Sequence, residues 1–144
     1  MKKSKFGAKP TGRKQSKSVE QGNNLYQLQP KWSFVKCDMD HEKWGIFHNV
    51  EHLGQMLARF KEWERITWGE ILTTTAGRNS NTQSHPMPIG VLKKEAQKRI
   101  AELNLNEFDT LYSLTMTGRQ HVWGIMIEET GTFELLWYDA NHEI

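Results

Sequence analysis

From Leu25 onward apolar and polar residues recur with periods that change along the chain, and each period predicts an element. Trp32-Ser33-Phe34-Val35-Lys36-Cys37-Asp38-Met39 alternates at Trp32 and Phe34 and then more loosely, with aromatic and β-branched enrichment, which predicts a first strand. Residues 40–47 read as a loop that sets Trp44 and Phe47 onto the core. Val50, Leu53, Leu57 and Phe60 recur at three and four residues and predict a helix over 49–64 with those positions inward. Thr67 stands three residues before Glu70, the spacing of a capping box, so a short helix through Thr74 follows. Ala76 to Pro88 is a polar stretch with two prolines and reads as a long loop. The clearest helix is Ile89 to Leu103, with Val91 or Leu92, Ala96, Ile100 and Leu103 inward.

The C-terminal part reads as three strands, Thr110–Met116, His121–Ile127 and Thr132–Tyr138, joined by turns at Gly118-Arg119 and Glu128–Gly131. The fold class that follows is α+β: an N-terminal strand, two or three helices, then a three-stranded antiparallel meander, forming one sheet with helices on one face. With 144 residues the chain fits one domain, here residues 25–144, preceded by a tail over residues 1–24.

Charge divides the chain the same way. Residues 1–18 hold seven of the 19 Lys and Arg and no Asp or Glu, so the remaining 12 basic residues face all 17 acidic ones, a net of −5. A basic tail with too few apolar groups to fold predicts disorder, and its lysines suit non-specific phosphate contact. The acidic body disfavours a uniformly basic nucleic-acid surface. No apolar run approaches the roughly 20 residues of a membrane span, and no apolar segment follows the basic start, so no membrane partner and a cytoplasmic location are expected. The single cysteine, Cys37, forms no internal disulfide and reads as an ordinary strand residue.

The sequence lacks GxGxxG, GxxxxGK[ST], GxSxG and HExxH, which disfavours nucleotide-hydrolysing and redox-cofactor enzymes, and no cofactor is expected. His48 and His52 are spaced i, i+4 as two metal ligands on a helix would be, but no third ligand is evident and no metal is expected. A denser collection lies C-terminally: Tyr112, Arg119, His121, Asp139, His142 and Glu143. Arg119 and His121 begin the middle strand of the meander, while Asp139 and His142 end its neighbour, so the four are expected at one sheet edge. An arginine that clamps a phosphate and a histidine that moves a proton suit acid–base cleavage of a phosphodiester without metal. The plainer alternative makes Asp139 and Asn141 turn residues, with Asp139 paired to Arg119. His85, with Lys93 and Lys94 at the start of the following helix, is a second candidate for anion or RNA contact. Trp123 and Trp137 read as a packing pair on neighbouring strands.

The stretch LYSLTMTGRQHVWGIMIEETGTFELLWYDANHEI resembles the ending of small RelE/ParE-type toxins of bacterial toxin–antitoxin modules: an arginine-bearing strand, a hairpin, and an apolar strand closing with Asp and His. The match covers about 35 residues well and, by element order, about 110. Arg119 matches the family's strand arginine; His121, Tyr112 and His142 match by type and approximate place. The resemblance implies a microbial-ribonuclease-like body and metal-independent cleavage of messenger RNA, with RNA or the ribosome as target and a cognate antitoxin as partner. The acidic body, the His-Pro loop and the tail depart from the family. They suit a second reading, a non-catalytic protein-binding module of a mobile-element or phage-defence system, with Trp123, Trp137 and Phe133 in an apolar patch. A third reading is nucleic-acid binding by the tail alone, steeply dependent on salt.

Overall fold

Strand β5 (Thr132–Asp139) buries Phe133 and the whole run Leu135–Asp139, and a strand apolar on both faces belongs in the middle of a sheet that is covered twice. The computed structural model describes residues 23–74 and 84–144 and shows that sheet. On one side β5 pairs antiparallel with β4 (Gln120–Ile127), β4 with β3 (Thr110–Thr117), and β3 with β2 (His85–Pro88). On its other side β5 pairs parallel with β1 (Lys31–Ser33). The order β1-β5-β4-β3-β2 thus extends the expected meander by one strand at each end.

Helices cover both faces, not one. Met56, Phe60 and Trp63 of α2 (Leu53–Trp63) and Trp68 and Ile71 of α3 (Trp68–Thr74) pack on Leu114, Val122, Phe133, Leu135 and Tyr138. Ala96 and Ile100 of α4 (Lys94–Glu102) pack on the opposite face, against Leu111, Trp123, Ile125, Leu136 and Trp137. A bulge makes the second face possible. Trp123 pairs with Trp137 but Gly124 pairs with Leu135, so Leu136 is an extra residue and both Leu136 and Trp137 turn toward α4.

Local chemistry accounts for several boundaries. The capping box forms as expected, with the Thr67 amide donating to Glu70 Oε1 (3.0 Å) and the Glu70 amide donating to Thr67 Oγ1 (3.2 Å). A short helix α1 (Asn23–Gln27) precedes β1, so the expected tail boundary at residue 24 falls inside it. Residues 1–22, which carry the tail, and residues 75–83, which carry most of the expected loop, lie outside the described residues. Ser84 to Pro88 is no loop: its end is β2, an edge strand, where the missing N–H of Pro86 and Pro88 is tolerated. The first strand ends at Ser33 rather than Met39, because the Cys37 amide closes a turn on the Phe34 carbonyl (3.1 Å) and leaves Phe34 and Val35 exposed. α2 begins only at Leu53, after two separate 3-10 turns at 46–48 and 50–52, and leaves Val50 and Leu57 outside while Met56 goes in. The helix expected over 89–103 is broken: a 3-10 turn at Ile89–Val91 is followed by extended Leu92 and Lys93 before α4 begins, and Val91 is exposed while Leu92 is buried. Burial pushes the Cys37 thiol up to about 11, aided by the charge of Asp38, so it stays protonated and unreactive. No helix among the described residues is long and apolar enough to cross a membrane.

Candidate functional site

The turn between β3 and β4 and the end of β5 meet at one corner of the sheet. Strand pairing sets His121 opposite Thr115 on one side and Asp139 on the other, so the three side chains share the face that α4 covers further along. Asp139 is buried and its carboxylate accepts the Glu143 amide (2.9 Å to each oxygen) and the Ile144 amide (3.0 Å). That bonding folds the C-terminal residues back and holds His142 at φ 56°, in the left-handed region that few residues other than glycine adopt. The His142 ring thereby lies over His121, with centroids 4.6 Å apart and planes 22° apart. Arg119 reaches the same turn, its Nη2 donating to the Asn141 carbonyl at 3.3 Å. His85 is half-buried on the edge strand β2, opposite Ser113 and two strands from His121.

His121 is 4% exposed, and its Nδ1 lies 2.9 Å from the Arg119 carbonyl. A carbonyl only accepts, so Nδ1 carries the proton and Nε2 keeps its lone pair when the ring is neutral. Burial pulls the His121 pKa below its ordinary value; the Arg119 carbonyl and Asp139 oppose this, while His142 and His85 reinforce it. A neutral imidazole with a fixed tautomer can take a proton, a stacked second imidazole can give one, and an exposed guanidinium can hold an oxyanion.

Of the expected site residues, Arg119, His121 and His142 therefore come together at this corner, while His85 lies two strands away, paired with Ser113. Tyr112 does not. It pairs with Gly124, on the other face of β3, and its phenol points to Glu128 Oε2 at 3.5 Å. Burial and the Glu128 charge both push its pKa up, which keeps it protonated. Lys93 and Lys94 are exposed at the start of α4, and no hydrogen bond or ion pair among the described residues joins them to the histidines. Asp139 does not pair with Arg119, because the turn amides take both its oxygens. His48 and His52 each end a separate 3-10 turn, and among the described residues no group of three or more His, Cys, Asp or Glu is placed to hold a metal ion.

The main-chain contribution escaped the sequence reading: nothing in the residue pattern marks the Asn141 carbonyl as the acceptor for Arg119. Compared with family models, with curated proteins and with solved structures, the chain matches none.

Proposed function

We propose that this chain is a metal-independent endoribonuclease of the RelE/ParE toxin type, acting on RNA alone or on the ribosome and held in check by a protein antitoxin. The observation that carries the reading is the stacked His121–His142 pair beside Arg119, with the His121 tautomer fixed by a main-chain carbonyl. In this reading Arg119 holds the scissile phosphate. His121 Nε2 takes the proton of the 2′-hydroxyl, whose oxygen attacks phosphorus. The bond from phosphorus to the 5′-oxygen breaks, and His142 gives that oxygen a proton. The products are a 2′,3′-cyclic phosphate and a free 5′-hydroxyl. Tyr112 takes no part, since it lies on the other face. The test is incubation of the purified chain with RNA in EDTA, with and without ribosomes. Cleavage with cyclic-phosphate ends, lost in Arg119→Ala and His121→Ala, is expected; intact RNA in both settings overturns the reading.

A second reading, a non-catalytic protein-binding module of a mobile-element or phage-defence system, is favoured by a different surface. An apolar groove of about 270 Å³ runs between the segment after β1 and α2, lined by Phe34, Met39, Leu53, Met56 and Leu57. Phe34 and Leu57, which line it, are 51% and 56% exposed, and Val35 beside it is 85% exposed. The patch once expected from Trp123, Trp137 and Phe133 plays no part, because all three are core residues. Harmless expression together with co-purification of a specific protein, lost in Leu57→Glu and kept in His142→Ala, identifies the module; growth arrest relieved by His142→Ala identifies the enzyme.

A further inference from the structure

A polar cleft of about 460 Å³ opens between residues 42–52 and the turn that ends β5, a volume within the range of small-ligand sites. Asn141 joins it to the histidine corner: its carbonyl takes the Arg119 guanidinium and the residue itself lines the cleft. The wall carries the carboxylates of Glu42, Glu51, Asp139 and Glu143 against one lysine, Lys43, which is already paired with Glu95 at 2.8 Å, together with the amides of Gln120 and Asn141 and the ring of His52. Four carboxylates against one already-paired lysine repel a phosphate, so a phosphodiester stays with Arg119 at the rim and what enters is uncharged. Carboxylate and amide oxygens accept from N–H groups, the edge that a base with an exocyclic amino group presents. Stacking is provided as well. The His52 ring lies flat on Tyr138, with centroids 4.9 Å apart and planes 7° apart, and its side chain is 20% exposed. Burial first, and the charge of Glu51 second, push the Tyr138 phenol up to about 12, so it stays protonated beneath the ring.

We propose that this cleft is a nucleobase subsite for single-stranded RNA, taking adenine, cytosine or guanine in preference to uracil. The proposal rests on the ribonuclease reading for the phosphate at its rim. The competing occupant for the same carboxylates is a lysine-rich segment, and the test separates the two.

Cytidine, adenosine and uridine, which carry no phosphate, are titrated in turn into the full chain while amide signals are followed by NMR; a peptide copying residues 1–22 is titrated separately. Cytidine and adenosine are expected to move the signals of Glu51, Gln120 and Asn141 in saturable fashion, with uridine at least about tenfold weaker, as one or two lost hydrogen bonds to a base edge imply. Glu51→Gln is expected to weaken cytidine about tenfold with its melting temperature unchanged, since Glu51 is exposed and, among the described residues, pairs with His52 alone at 3.5 Å. Glu143→Gln serves as the second variant. No shift with any nucleoside at tens of millimolar overturns the proposal, and so does a response to the peptide alone. Cytidine binding in a chain that leaves RNA intact keeps the subsite and removes the nuclease; RNA cleavage without nucleoside binding or base preference keeps the nuclease and removes the subsite.

Discussion

Asp38 and Arg99 are joined by a two-pronged bond, Nε to Oδ2 at 2.8 Å and Nη2 to Oδ1 at 2.9 Å, that ties the segment after β1 to α4. The same carboxylate also accepts Trp137 Nε1 of β5 at 2.8 Å and the amides of Asp40 and His41. Burial alone raises the Asp38 pKa; the Arg99 guanidinium, the indole and the two amides outweigh it and hold the carboxyl at about 2. An unfolded aspartate titrates near 3.9, so ionised Asp38 contributes roughly 2.5 kcal/mol, fully present above about pH 4 and lost as pH falls through about 2.

Removing Arg99 leaves that buried carboxylate short of its counter-charge. Arg99→Ala is expected to lower the unfolding free energy at pH 7 by about 3 kcal/mol and to move the acid transition to higher pH. Urea melts at pH 7 and pH 3 check both. Equal stability of variant and parent at pH 7 would show that solvent replaces the guanidinium.

His121 titrates in the opposite chemical sense but with the same sign of linkage. Its folded pKa lies below that of the unfolded chain, so the folded state binds less proton there. Stability from this group is complete above about pH 6.5 and declines as pH drops from there through the lowered folded value. Side-chain NMR is expected to show the Nδ1–H tautomer and a midpoint below 6.5, persisting in His142→Ala because burial is the largest cause. A midpoint above 6.5 would remove His121 as the base of the proposed cleavage.

The corner that holds His121 was legible because hairpins are read by parity and proximity. The alternation of β4 and β5 and the short turn between them set His121 opposite Asp139, and His142 follows three residues on. The same parity excludes Tyr112: Thr115 faces His121, and a residue three positions away on a strand lies on the other face. Other features had no local signal. β2 is two prolines in four residues, a composition that argues against a strand until its edge position is known. β1 is three residues long and its parallel partner begins about 100 positions later, a pairing no window detects. Asp38 reaches Arg99 and Trp137 across 61 and 99 positions, and only their meeting makes its burial tolerable. The second covered face was in the text of the sequence: Leu135-Leu136-Trp137-Tyr138 does not alternate, and an unbroken apolar run marks a strand buried on both sides.

Gly124 sits where the bulge lets two strands approach. A Cβ there would stand 2.3 Å from the Glu134 carbonyl and 2.6 Å from the Phe133 ring, and the backbone atom is not free to retreat. Gly124→Ala is therefore expected to destabilise the chain by about 2 kcal/mol or more, read as a shift of the denaturant midpoint. Gly54→Ala, whose Cβ would meet nothing within 4 Å, is the control and is expected to stabilise α2 by up to about 1 kcal/mol.

Leu57 gives the prediction that separates surface from core on one helix. It is 56% exposed, while Phe60 of the same helix is 3% exposed and stacks on Trp32 with centroids 3.9 Å apart. Leu57→Glu removes no packed contact of that kind and is expected to change stability by less than about 0.5 kcal/mol. Phe60→Ala empties the stack and is expected to cost about 3–5 kcal/mol, enough to unfold a marginal domain of this size. Paired thermal melts of the two variants check the contrast. If Leu57→Glu proves as damaging as Phe60→Ala, the groove beside α2 is part of the core, and the protein-binding reading loses the exposed surface on which it stands.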